Sequence, residues 1–156
     1  MSTDALTIHM ASRDDIAAVL DLYQHLTPGD ERPAPTQAAE ILDQLQTYPG
    51  SGILIGRAEG QAVASCTLII IPNLTRGGAP YALIENVVTH TDARQKGFGR
   101  QILAEAAKAA WDAGCYKVML MTGSENEKAI RFYLDAGFEQ TKTGFQMRRI
   151  APRPAF

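Results

Sequence analysis

Arg94-Gln95-Lys96-Gly97-Phe98-Gly99-Arg100 stands between an apolar run that ends at Val88 and an amphipathic run from Gln101 to Ala113. A strand that feeds a glycine-containing loop and then a helix presents unpaired backbone N–H groups and the positive end of the helix dipole to an anion. The glycines permit close approach of a ligand to the backbone. Arg94, Lys96 and Arg100 surround those amides with mobile positive charge. The stretch therefore predicts a pyrophosphate cradle. Two familiar phosphate loops are ruled out by residue type. The Walker pattern needs Gly-x-x-x-x-Gly-Lys-Ser/Thr, and the dinucleotide fingerprint needs a third glycine where Ile102 stands.

The basic cluster is local, because the chain as a whole carries 15 Lys+Arg against 17 Asp+Glu. That balance gives no extended electrostatic footprint for nucleic acid, and a small-molecule partner fits better. At 156 residues and 46% hydrophobic, the chain predicts a single domain over 1–156 with one sizeable core. No apolar run approaches the roughly 20 residues that cross a bilayer, and the start lacks a basic segment followed by an apolar one. No membrane association and a cytoplasmic location are the expectations. Cys66 and Cys115 form neither a disulfide framework nor a metal-ligand cluster, so no metal is expected.

Outward from the cradle, the pattern predicts alternating elements. Thr7 to Met10 reads as a strand, and Ser12 caps a helix with Ile16, Val19, Leu20 and Tyr23 inward. Residues 27–35 carry breaker chemistry, and Thr36 caps a second helix through about Gln46. Ile53 to Ala58, Ala62 to Ile71 and Tyr81 to Val88 read as an antiparallel meander with turns at Glu59-Gly60 and Pro72 to Pro80. The helix from Gly99 to Ala113 turns Ile102, Leu103, Ala106, Ala109 and Ala110 to one face, and Gly114 ends it. A strand from Tyr116 to Met121, a helix from Glu127 to Ala136, and two short strands, Phe138 to Thr141 and Phe145 to Ile150, complete the chain. The class is α/β (α+β), a mixed sheet with helices on its faces.

A second block follows the cradle: Asn126, then Ala129-Ile130-Arg131-Phe132-Tyr133-Leu134-Asp135-Ala136-Gly137-Phe138. Together the two blocks resemble the GNAT N-acetyltransferase superfamily, whose signatures are Arg-x-x-Gly-x-Gly and Asn…Ala-x-x-Phe-Tyr-x-x-x-Gly-Phe. The resemblance extends over about residues 7–150. It implies the GNAT fold, a mostly antiparallel sheet of six to seven strands flanked by about four helices. It also implies acetyl-CoA as co-substrate, held by Arg94, Gln95, Lys96, Gly97, Phe98, Gly99 and Arg100. The strand before the cradle is splayed from its neighbour in this superfamily, so the main chains of Val87 and Val88 would hold the pantetheine arm and the acetyl oxygen, Val88 N–H being the oxyanion donor. Asn126 would orient the pantetheine or cap its helix. Tyr133 would protonate the leaving thiol, whereas without the motif it reads as a packed amphipathic residue.

Acetyl transfer also needs a base for the amine. Glu85, a carboxylate in an otherwise mainly apolar strand that predicts partial burial, is the first candidate, acting through a water; His90 is the rival. His9 and His25 offer no constellation in the sequence. Ile84-Glu85-Asn86-Val87-Val88, Gly114-Cys115-Tyr116-Lys117-Val118 and Phe132-Tyr133 are similar to strings in the glucosamine 6-phosphate N-acetyltransferases. That family has Ile-Glu-Asp-Val-Val, so Asn86 departs from it by one carboxylate. Glu85, Asn86, Lys117 and Arg148, with Arg76 and Arg149, are the candidates to meet an amino sugar phosphate. The resemblance further implies a homodimer through the C-terminal strands and direct attack in a ternary complex. A protein or peptide N-acetyltransferase and a non-catalytic acyl-CoA-binding module are the alternatives.

Overall fold

The computed structural model describes residues 5–152, which fall into two compact units dividing between Leu120 and Met121. The first contains β1 (Thr7–Met10), α1 (Ile16–Leu26), α2 (Pro35–Gln46), β2 (Gly52–Ala58), β3 (Gln61–Ile71), β4 (Tyr81–Thr89), α3 (Phe98–Asp112) and β5 (Val118–Met119). Its sheet runs in the order β1-β2-β3-β4-β5. The first four strands are antiparallel and β5 lies parallel to β4.

Strand alternation decides which helix covers which face. Ile55 packs with Val19 and Tyr23 of α1, whereas a Cβ on the next residue, Gly56, would lie 3.5 Å from Ile102 of α3. Successive strand residues point to opposite faces, so α1 and α3 sandwich the sheet. The predicted stripe of α3 is inward, with Ile102, Leu103, Ala106 and Ala110 at 1% exposure or less. On α1 the buried positions are Val19 and Leu22, and Leu20 is only partly covered. Two starts also differ from the sequence reading. A short 3₁₀ turn, Arg13–Asp15, precedes α1, and α2 begins at Pro35 instead of being capped by Thr36. Proline fits the first helical position because its missing N–H has no partner to lose there.

The second unit contains α4 (Glu127–Asp135) and the extended chain that follows. Gly137, at φ 96°, ends the helix in the left-handed conformation, and Phe138 N–H returns to the Tyr133 carbonyl at 3.1 Å. The sheet has five strands among the described residues, in place of the expected six to seven. Neither Phe138 to Thr141 nor Phe145 to Ile150 is a strand, and the expected strand from Tyr116 to Met121 is reduced to the two residues of β5. A β-prone segment becomes a strand only where another strand takes up its N–H and C=O groups. Alternation along the sequence does not supply that partner.

Candidate functional site

Three features converge at the C-terminal end of β4. The first is a bulge. Ser65 of β3 faces Val88 and Thr67 faces Glu85, so the single residue Cys66 stands against both Asn86 and Val87. Asn86 absorbs the extra residue at φ 52°, a left-handed conformation that Asn and Asp tolerate best among residues with a side chain. The second is a free edge. β5 pairs with β4 only at Ala82 and Leu83, and beyond Leu83 the β5 side of β4 has no strand partner among the described residues. Along this unpaired edge Val88 is buried, and Glu85 and Asn86 are exposed.

The third is the start of α3. Gln95 and Gly97 adopt φ values of 63° and 80°, curling the chain so that Phe98, Gly99 and Arg100 open the helix. Their N–H groups have no carbonyl one turn back to bond. No side chain caps this end and no acidic residue occupies its first turn. A Cβ built on Gly97 would meet nothing within 4 Å, so the loop is open at Gly97 itself. Phe98 is buried at 2% exposure and anchors the turn. Lys96 and Arg100 are exposed and have no ion-pair partner among the described residues. This donor set fits a pyrophosphate.

Arg94 behaves differently from its neighbours. Its guanidinium donates to the carbonyls of Thr89 at 3.3 Å and His25 at 3.2 Å, strapping the loop to the end of α1. His90 caps the short turn Thr91–Ala93, with Nδ1 accepting the Asp92 N–H at 3.2 Å. That bond engages the Nδ1 lone pair of His90 in the Nε2–H form of the ring. Glu85 is exposed, and the partial burial expected from its apolar strand is not found.

The other predicted site residues divide between the two units. Lys117 and Arg76 lie over the ring of Tyr116 at 5.5 and 5.3 Å, and Lys117 is also 5.3 Å from the Tyr81 ring. Tyr81 begins β4, about 23 Å along an extended strand from Val88. These cations are therefore packed on aromatic faces at the far end of the strand from the cradle. In the second unit, Asn126 caps α4 by accepting the Ala129 N–H at 3.1 Å, the structural role that the sequence left open. Tyr133 contacts Phe132 and, edge-on, Phe138. Arg148 donates to Gln146 at 3.2 Å.

Sequence reading missed two participants. Tyr23, read only as a packing residue, brings its phenol beside Thr67 and Asn86 at the bulge; burial pushes its pKa up, partly offset by those two side chains. Its i+4 spacing from Val19 gave the direction, but the polar tip was the signal for a second role. His25 forms a ring pair with His90 at 4.0 Å and His9 bonds Asp15 at 3.2 Å, so neither histidine is without a constellation. Burial pushes the Cys66 thiol up to about 12 and raises that of Cys115, which removes both as thiolate nucleophiles. An open recess of about 880 Å³ lies elsewhere, lined by Met10, Ile70, Leu74 and Ala109 near the C-terminal end of α3. It lacks the amides and charges that distinguish the cradle.

The sequence profile described as "Acetyltransferase (GNAT) family" matches residues 17–138. The chain belongs to the GNAT acetyltransferase family. It is 31% identical over 137 residues to the glucosamine 6-phosphate N-acetyltransferase of Trypanosoma brucei brucei, covering 85% of this chain and 88% of that protein. A protein of Agrobacterium tumefaciens str. C58 classed with the acetyltransferases superposes with a TM-score of 0.86 at 41% identity, covering 92% of this chain and 99% of the other. An aminoglycoside N-acetyltransferase solved with CoA has the same fold, with a TM-score of 0.77 at 19% identity over 94% of this chain and 96% of the other. This GNAT member is thus an acyltransferase, and acetyl-CoA is the acyl donor its family uses. No helix among the described residues is long and apolar enough to cross a membrane.

Proposed function

We propose that this GNAT enzyme transfers the acetyl group of acetyl-CoA to the primary amine of a small amino sugar phosphate, with glucosamine 6-phosphate the leading candidate. The open start of α3 beside the unpaired edge of β4 carries the cofactor half of this reading, because it offers uncapped amides and unpaired cations to a pyrophosphate. The acceptor half rests on the 31% identity to the trypanosomal glucosamine 6-phosphate enzyme. Asn86 retains the left-handed conformation open to the aspartate of that family, so its departure removes a charge without disturbing the bulge.

In this reading the amides of Phe98, Gly99 and Arg100 hold the pyrophosphate, with Lys96 and Arg100 balancing its charge. Val87 and Val88 hold the pantetheine arm, and Val88 N–H faces the acetyl oxygen as negative charge develops there. Glu85 takes the amine proton through a water, and Tyr133 keeps the role of acid that its motif implies. The amine attacks directly, in keeping with a Cys66 thiol held near 12. Arg148 is proposed to meet the phosphate, whereas Arg76 and Lys117, held on aromatic faces about 23 Å along β4 from Val88, lie too far from an amine that attacks there. We also propose a homodimer, supported by the exposed Phe145 and Met147 in a segment that has no strand partner among the described residues.

Thiol release from acetyl-CoA, measured over glucosamine 6-phosphate, glucosamine, polyamines, amino acids, aminoglycosides and peptides with product masses recorded, tests the reading. Acetylation of the phosphosugar at a kcat/KM at least tenfold above that of glucosamine is expected. A preference for another amine would overturn the substrate assignment and leave the transfer chemistry standing.

A further inference from the structure

Three polar contacts join the end of α1 to the segment that leads into the cradle, and a fourth lies within that segment. His25 Nδ1 accepts the Thr91 N–H at 3.4 Å and lies 3.2 Å from the Thr91 hydroxyl. His25 O accepts from Arg94 Nη2 at 3.2 Å, and His90 Nδ1 accepts the Asp92 N–H at 3.2 Å. The two imidazole rings are tilted 41° with centroids 4.0 Å apart. A backbone N–H can donate only to a nitrogen that carries no proton, so the bonds from Thr91 N–H and Asp92 N–H specify the neutral, Nε2–H form of His25 and His90. Protonation at Nδ1 would set two donors against each other and place cations side by side.

From this geometry we infer that His25 and His90 are positioning residues for the cofactor, a clasp that holds the Thr91–Arg94 segment in place when both rings are neutral and releases it when they are protonated. The residues act through the loop; neither touches the proposed cofactor site directly. The charged groups facing His25 agree with this. Burial lowers its pKa, the neighbouring His90 and Arg94 lower it further, and only Asp92 opposes them. Protonation of His25 is thus displaced to the acid side of the ordinary histidine range, which favours its half of the clasp being closed at neutral pH. With the clasp open, Arg94 loses its carbonyl acceptor on α1 and the turn that sets Gln95 and Gly97 is no longer braced. The consequence falls on cofactor affinity and not on the chemical step.

The inference rests on the cradle as the cofactor site, and CoA binding by calorimetry between pH 5.5 and 8 separates the two. His25→Ala is expected to bind CoA about fivefold more weakly at pH 8, the worth of one lost hydrogen bond. The pair His25→Asn with His90→Asn retains an acceptor near each Nδ1 but cannot be protonated, so it should recover most of that loss. Wild-type affinity should fall about fivefold more than that of the Asn pair between pH 8 and 5.5, the 3′-phosphate of CoA titrating equally in both. Parallel pH profiles would overturn the clasp alone. Absence of CoA binding by the wild type at every pH would instead overturn the cradle. Imidazole ¹⁵N spectra at pH 8 provide a check independent of variant folding: Nε2–H signals for both rings are expected, and an Nδ1–H form at His25 would refute the arrangement.

Discussion

The starts of α3 and α4 present the same unpaired amides and treat them in opposite ways. At α4, Asn126 bonds Ala129 N–H and Glu127 adds negative charge to the first turn, so the helix satisfies itself. At α3 the preceding residue is a left-handed Gly97 with no side chain to offer, the first turn holds no acid, and Lys96 and Arg100 stand nearby. The start of α1 shows a third arrangement, in which Asp15 turns back to accept the Ser12 N–H at 2.9 Å. A helix start closed by its own side chain serves stability, whereas one left open keeps its dipole and donors for an anion.

The comparison can be broken by exchanging these roles. The largest effect is expected from the body of α4: Tyr133→Phe should lower kcat about 100-fold with the KM for acetyl-CoA nearly unchanged, as loss of a general acid does. An unchanged kcat would return Tyr133 to a packing role. Arg100→Glu gives α3 the acid that α4 already has. Affinity for CoA should fall about 30-fold while the thermal midpoint holds or rises, since an acid in the first turn favours the helix. If the midpoint and the affinity fell together, the open start would be a structural necessity and not a reserved site.

Asp15→Asn tests a closed start. Burial alone would raise the Asp15 pKa, but the Ser12 N–H, Arg57 at 2.9 Å and His9 hold it at about 2 against an ordinary 3.8. Because the folded value is depressed, the stabilisation is complete above about pH 4 and is lost as pH falls toward 2. The variant should therefore lose about 1.5 kcal/mol at pH 7 and converge with the wild type near pH 2, by denaturant titration at both. The smallest effect is expected from Asn126→Ala, about 1 kcal/mol of stability. A matching rise in the KM for acetyl-CoA would show that Asn126 also orients the pantetheine; stability loss alone would leave it a cap.

Much of the fold was legible because its signals are local. The meander from β2 to β4 was marked by apolar runs between Glu59-Gly60 and Pro72 to Pro80, and α3 by a stripe whose members are buried except Ala109, which is partly covered. The cradle was legible for the same reason, as glycines and cations within seven residues. The strapping contacts of Arg94 were not legible because its partners, Thr89 and His25, are five and 69 positions away, and only folding brings the latter alongside. Glu85 was expected partly buried because strand neighbours predict burial, yet the free edge beyond Leu83 exposes it.

By itself, the sequence determined the family and most of the elements and marked out the candidate anion site, because helix starts, turns and strand alternation are written over a few adjacent residues. Only tertiary structure decided that α1 and α3 cover opposite faces, that β4 bulges at Asn86 against Cys66, that His25 meets His90, and that five strands pair among the described residues. Each of these depends on residues distant in the chain, where pairing is selected by the packing of the whole and not by the propensity of either partner.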